Sequence, residues 1–226
     1  MNERFDELRI NLRAVQEKIE KAASAAGREP DEITLIAVTK FFPLSDVRAL
    51  YDLGIRNFGE NRDEEGAQKA GELASDALWH FQGQIQGRKI PSLLEWADYI
   101  HSLDSLDHAT KCERRLAEMG ESRAFFIQIN LEPERTDRGG ITLSQLPEFI
   151  SAVRELRHLQ VSGLMTVPPV DADPARSFAQ IAAAADLVGV EGLSMGMSGD
   201  FEAAICAGAT HIRVGSSILG SRPTPA

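Results

Sequence analysis

The sequence predicts one α/β domain folded as a (β/α)8 TIM barrel, with an extra helix packed outside it at the N-terminus. Three observations carry this. Eight short β-rich runs alternate with segments of helical length, and such alternation implies parallel pairing, because parallel neighbours need a crossover. The 226 residues sit at the compact end of the barrel's size range, as one domain over residues 1–226. A doubly wound open sheet would place GxGxxG after its first strand, whereas Thr39-Lys40-Phe41-Phe42-Pro43 stands there.

The elements follow in order. Leu8, Leu12, Val15, Ile19, Ala22 and Ala26 line one face of a helix expected over Asn2 to Ala26. Gly27 caps it and Pro30 prevents resumption. The first strand is the β-branched run Ile33 to Thr39, closed by Lys40 and Pro43. The remaining strands are expected at Arg56 to Phe58, Leu78 to Phe81, Tyr99 to Ser102 and Ala124 to Asn130. Leu159 to Val167, Gly192 to Met195 and His211 to Val214 complete the set.

Composition narrows the class of partner. Lys+Arg 24 against Asp+Glu 34 gives a net charge of −10, which argues against nucleic acid or an anionic membrane. A local phosphate site remains open, since it needs only a few amides and one or two cations. Cys112 and Cys206 form no CxxC pair, so reduced thiols are expected, and no His/Cys/carboxylate group has metal spacing. The N-terminus is charged where a signal peptide is apolar. The best membrane candidate, Phe178 to Met197, is interrupted by Asp186 and Glu191. A cytoplasmic protein is expected.

In a barrel the chemistry collects at the C-terminal ends of the strands. Lys40 shares its strand face with Ile36 and Val38, so it is expected to point toward an apolar barrel interior. Dehydration there would lower its pKa and give a carbonyl nucleophile of the Schiff-base kind. A lysine snorkelling into solvent is the competing reading, and periodicity alone slightly favours it. Leu193 to Asp200 is a small-residue loop opening onto a helix, where amide N–H groups and the Ser198 hydroxyl can hold an anion, or Ser198 or Asp200 can simply cap the helix. Arg213-Val214-Gly215-Ser216-Ser217 follows the last strand, and loops after strands seven and eight are the usual phosphate sites of barrels. Arg213, two residues before Gly215, falls inside the barrel and needs an acceptor: a carboxylate, or the ring nitrogen of a ligand. These parts describe pyridoxal 5′-phosphate, with its aldehyde at Lys40, its phosphate on the last loops and its pyridine nitrogen toward the cation. They equally suit a phosphosugar lyase that forms a Schiff base with its substrate, and position in the barrel does not decide between them.

Several segments carry a more specific match: Ala37-Val38-Thr39-Lys40, Phe58-Gly59-Glu60-Asn61, Trp79-His80-Phe81-Gln82-Gly83, Gln128-Ile129-Asn130, Gly163-Leu164-Met165, Leu193 to Ser198 and Arg213 to Ser216. In this order they resemble the YggS-like pyridoxal phosphate homeostasis proteins, whose fold is that of the N-terminal barrel of alanine racemases. The resemblance implies a cofactor aldimine on Lys40, phosphate contacts around Ser198, Gly215 and Ser216, and a ring-nitrogen contact from Arg213. It also implies that Asn61 and His80 lie near the cofactor mouth, and Met197 is expected to pack around the ring. Two departures stand out: Phe41-Phe42 after the lysine, and arginine where lysine is common in the loop Leu131 to Gly140.

Turnover of amino acids with this cofactor requires a protein group that moves the α-proton. Alanine racemases, as the resemblance implies, take a tyrosine from a C-terminal β-domain for which this sequence leaves no length. Tyr51 and Tyr99 are placed on the wrong elements to replace it, and the acidic run Asp63-Glu64-Glu65 reads as a solvated face. An arginine at the pyridine nitrogen also weakens the electron sink. The expected role is therefore cofactor carriage and buffering in pyridoxal phosphate homeostasis, as a monomer exchanging with apo-enzymes or free amino acids. A small racemase is the alternative. His80 and His101 are expected as half-buried histidines bonded to backbone.

Overall fold

The alternation closes on itself in the computed structural model, which describes residues 3–135 and 138–221. The strands are β1 (Thr34–Val38), β2 (Asn57–Glu60), β3 (Leu78–Phe81), β4 (Tyr99–Leu103), β5 (Arg123–Ile129), β6 (Leu159–Thr166), β7 (Gly192–Met197) and β8 (His211–Val214). They pair in chain order, all parallel, and β8 returns to β1 with Ile36 opposite Arg213. Each strand lies where its sequence pattern put it, with ends displaced by no more than two residues.

The helices form the outer ring: α1 (Glu3–Ala25), α2 (Leu44–Asp52), α3 (Asp63–Glu72), α4 (Ile90–Trp96), α5 (Leu106–Met119), α6 (Leu146–Arg154), α7 (Pro174–Val188), α8 (Phe201–Cys206) and α9 (Ser216–Leu219). The first begins at Glu3; Asn2 lies outside the described residues. It ends because Gly27 takes a left-handed φ of 68°, which lets Arg28 N–H reach back to the Ala23 carbonyl at 2.9 Å. Its buried stripe is Leu8, Leu12, Val15, Ile19, Ala22 and Ala23. Each of the larger side chains contributes about 1.5–3 kcal/mol of transfer free energy when fully buried. Polar ties fix the helix axially: Arg4 Nη2 donates to the buried Asp46 carboxylate at 2.6 Å and to the Leu219 carbonyl at 3.0 Å. Asn11 Nδ2 donates to the Ile218 carbonyl at 3.0 Å.

Two compartments result. The contiguous apolar core lies between sheet and helices, from Phe58 and Trp79 round to Phe178 and Phe201. Inside the barrel the filling is not the apolar one expected. Ile36, Val38, Phe126 and Met165 are buried apart from that core. Beside Phe126 stand His80, His101 and His211, whose rings stack or tilt against one another, against Phe126 and against Tyr99 at centroid distances of 4.4 to 6.3 Å. Arg213, 5% exposed, completes this interior on the mouth side.

Candidate functional site

A cleft of about 270 Å³ opens at the C-terminal ends of β1, β3, β7 and β8. Lys40 and Phe42 enter it from the turn after β1 and Gln82 from the end of β3. Met197, Ser198 and Gly199 come from β7 and its loop, and Arg213, Gly215 and Ser216 from β8 and the turn after it. Six of the expected residues thus meet in one place: Lys40, Met197, Ser198, Arg213, Gly215 and Ser216. Asn61 lines a neighbouring cavity with Arg62 and Lys89 instead. His80 does not reach the mouth. Its register opposite Gly59 sets it two residues deeper than Gln82, and it is fully buried.

The side of the cleft formed by the loops after β7 and β8 is stitched by one hydroxyl. Ser198 Oγ accepts from the amides of Gly215 and Ser217, both at 3.3 Å, while Ser217 Oγ donates to the Ser198 carbonyl at 3.4 Å. With its lone pairs engaged across the two loops, the Ser198 hydroxyl retains its proton to donate. The helix dipole plays less part than the sequence implied, because α8 has six residues and α9 four. Nor does Asp200 cap α8 through its side chain: Oδ1 accepts from the Met197 amide at 2.6 Å and shapes the loop.

Arg213 is held by backbone and hydroxyl oxygens and not by a carboxylate. Nη1 donates to the Ser194 carbonyl at 2.6 Å and to Ser194 Oγ at 2.8 Å, and Nη2 donates to the Thr166 carbonyl at 2.9 Å. Desolvation lowers its pKa to about 10, against the opposing pull of Asp200, so it is a cation at neutral pH. Behind Ser194 a chain runs down the barrel. His101 Nδ1 meets Ser194 Oγ at 2.8 Å, His101 Nε2 meets His80 Nδ1 at 2.9 Å, and His80 Nε2 meets Asn57 Oδ1 at 2.9 Å. Asn57 Oδ1 only accepts, so His80 carries its proton on Nε2, His101 donates from Nε2, and Ser194 donates to His101. Burial pushes both imidazoles well below the ordinary histidine range, and they are neutral. Their partners are side chains throughout, not the backbone groups expected.

Lys40 stands on a turn. Thr39 continues β1 by donating N–H to the Gly59 carbonyl at 3.0 Å, and Phe42 N–H closes back on the Thr39 carbonyl at 3.0 Å. That places Lys40 and Phe41 at the two central positions, and Phe41 adopts φ 71°, the left-handed value a type II turn demands of its third residue. The acidic run beyond β2 is not a solvated face. Glu65 Oε1 accepts from the Phe41 amide at 2.7 Å, and the buried Asp63 accepts from Trp96 Nε1 at 2.9 Å. Only Glu64 of the three is mainly in solvent, paired with Lys89. Glu60, fully buried, is pushed up by desolvation against the pull of Lys69.

The fit of a cofactor is tested by what the cleft itself offers. Gln82 Nε2 is a buried donor with no hydrogen-bond partner among the described residues, and Gln82 lines the cleft. Gly215 packs so closely on β1 that a Cβ there would sit 3.2 Å from the Val38 carbonyl, so the turn's amides lie at the barrel rim. A primary amine, a buried cation, a spare amide donor and a two-loop oxyanion cradle suit a small phosphorylated aromatic aldehyde. Comparison with known proteins agrees. The family described as alanine racemase, N-terminal domain, matches residues 10–223. The pyridoxal phosphate homeostasis protein of Escherichia coli (strain K12) is 39% identical over 231 residues, covering 96% of this chain and 98% of that protein. The chain belongs to the pyridoxal phosphate homeostasis protein family. Within that family, the structure of PipY of Synechococcus elongatus with PLP bound is 34% identical, with a TM-score of 0.80 over 90% of this chain and 100% of that one. An alanine racemase of Clostridium difficile shares the fold alone, at 16% identity and a TM-score of 0.73, over 97% of this chain and 58% of that one.

The sequence marks Lys40, Met197, Ser198, Arg213, Gly215 and Ser216 of the cleft lining, but not Phe42, Gln82, Gly199 or Gly220, nor the groups behind the site. The signal for Gln82 was present: it shares a strand face with His80 and stands nearer the C-terminal edge. The roles of Ser194, Thr166, Glu60 and Lys69 depend on register between strands and on which helix face meets the sheet, and no local pattern encodes either.

Proposed function

We propose that this chain binds pyridoxal 5′-phosphate covalently through Lys40 and acts in the homeostasis of that cofactor, as one cofactor-binding unit. The observation that carries the reading is the meeting, in a single cleft, of Lys40, the Ser198 and Gly215–Ser216 turns and the buried Arg213 cation. When bound, the cofactor would supply an aldehyde, an electrophile matched to a primary amine. Lys40 would provide the amine, Ser198 with the Gly215 and Ser216 turn would hold the phosphate, Met197 would pack on the ring, and Arg213 would present N–H toward the ring nitrogen. Pyridoxal phosphate homeostasis proteins as relatives, and PLP in PipY, support the reading.

Among the described residues the two tyrosines stand away from the cleft. Tyr51 bonds Asp76 on the outside of the barrel and Tyr99 stacks on His80 in its interior. This favours holding and handing over the cofactor above racemisation, with apo-enzymes or free amino acids as exchange partners and a monomer as the working form. Two free thiols, and no described helix long and apolar enough to cross a membrane, suit a cytoplasmic setting.

The test is direct. Protein mixed with pyridoxal phosphate should turn yellow, lose that band on borohydride, and yield one modified peptide containing Lys40. Modification at any other lysine, or none, would overturn the assignment. Ser198→Ala should weaken retention about tenfold, the loss of one hydrogen bond to a charged group, as read by dialysis against phosphate-free buffer.

A further inference from the structure

The turn that carries Lys40 is held from behind by a second lysine. Lys69, on α3, is 5% exposed and uses all three of its ammonium donors. They reach the Thr39 carbonyl at 2.8 Å, Glu60 Oε1 at 2.7 Å and Glu65 Oε1 at 2.7 Å. Each of these acceptors also grips the turn or the strand beside it. The Thr39 carbonyl closes the turn to Phe42, Glu60 Oε1 accepts from Thr39 Oγ1 at 2.7 Å, and Glu65 Oε1 accepts from the Phe41 amide. The Arg62 guanidinium lies over the Phe41 ring at 5.0 Å. This clamp has something to oppose. Phe41 holds a left-handed backbone that disfavours side chains larger than glycine by about 1–2 kcal/mol, so without its tethers the turn would relax and swing the adjoining Lys40.

We propose that Lys69 is the positioning residue of the site: its buried ammonium, braced by Glu60 and Glu65, fixes the Thr39–Phe42 turn so that the Lys40 amine faces the cleft. This rests on the reading of Lys40 as the covalent anchor. Lys69 touches no part of the cleft lining and acts only through the turn. It is set apart from chemistry, since its three donors are committed to protein acceptors. Among the described residues its ammonium bonds Thr39, Glu60 and Glu65 and none of the loop residues Ser198, Gly215 and Ser217, so the clamp governs the covalent step and not the grip on the phosphate.

That division supplies the experiment. Lys69→Met removes the clamp but strands the Glu60 carboxylate, so the double variant Glu60→Gln/Lys69→Met is made beside it to leave no buried charge unpaired. For each folded variant, two quantities are measured: the rate of covalent capture of pyridoxal phosphate, and the dissociation constant of pyridoxine 5′-phosphate, which has the phosphate and ring but no aldehyde. Capture should slow by at least about tenfold, as expected when a reacting group is misplaced, with the dissociation constant unchanged within about twofold. Lys69→Arg should restore part of the rate. Capture at the wild-type rate would overturn the proposal, and so would parallel loss of capture and of pyridoxine phosphate binding in a variant with native circular dichroism. Wild-type protein that captured no pyridoxal phosphate would instead overturn the reading of Lys40, and this inference with it.

Discussion

Acidification from about pH 6.5 to about pH 4 is expected to lower this barrel's stability, through His80 and His101, buried in its interior, and the half-buried His211. Burial, with Arg213 adding to it, lowers His211 to about 4, and burial holds His80 and His101 well below the ordinary 6.5. Between those values the unfolded chain binds protons on these rings and the folded chain does not, so stability rises with pH across the window and is lost as pH falls. His211 alone accounts for about 3 kcal/mol over its interval, at about 1.4 kcal/mol per pH unit, and a whole domain has about 5–15 kcal/mol. Protonation also breaks the interior chain, because a charged imidazole donates from both nitrogens and His101 could no longer accept from Ser194. Glu60 and Asp98 act in the opposite sense, since burial raises them, and they soften the fall at its acid end. Urea midpoints followed by Trp79 and Trp96 fluorescence should drop steadily across this window, and less steeply for His211→Gln. A flat profile from neutral pH down to about 4.5 would contradict the burial of these rings.

Lys40→Ala should abolish covalent capture altogether while leaving the fold and the phosphate cradle intact. Lys40 stands at the second position of a turn held by backbone hydrogen bonds of Thr39, Phe41 and Phe42, which an alanine at position 40 leaves in place. Alanine tolerates that position's ordinary φ. The variant should bind pyridoxal phosphate reversibly, with the spectrum of the free aldehyde, and resist borohydride labelling. Affinity should fall by about tenfold or more, since the covalent bond is lost but the contacts of Ser198, Gly215 and Arg213 remain. A yellow, borohydride-fixed Lys40→Ala protein would show that another amine is the anchor.

Much of this architecture was legible in the residues themselves. Runs such as Thr34–Val38 and His211–Val214 show the β-branched, turn-bounded pattern of strands, and the stripe from Leu8 to Ala22 shows a helical period. Lys40, Ser198 and Arg213 were identifiable because barrels collect chemistry at strand ends, an ordinal property that the sequence displays. Three things escaped local reading. The family resemblance implies His80 near the mouth, but the two-residue depth that buries it is set by pairing with Gly59. Asp63 and Glu65 looked like solvent-facing charges on a helix start, and only the packing of α3 against β1, β2 and α4 gives them Trp96 and Phe41 as partners. The polar interior, finally, is a joint property of strands β2, β3, β4, β7 and β8, since Asn57, His80, His101, Ser194 and Arg213 meet only when the sheet closes.

The first turn of the chain reaches the rim of the cleft from the outside. Arg4 lies 5.9 Å over the Phe42 ring and binds the carbonyl of Leu219, next to Gly220; Phe42 and Gly220 both line the cleft wall. Residues 215 apart in sequence are therefore mechanically one piece. Linkage makes the effect reciprocal: a guest that tightens this wall must also suppress fraying of the opening helix, and fraying there must loosen the guest by the same free energy. Occupancy would then be visible at the far end of the polypeptide, as slower amide exchange and slower protease nicking near residue 4.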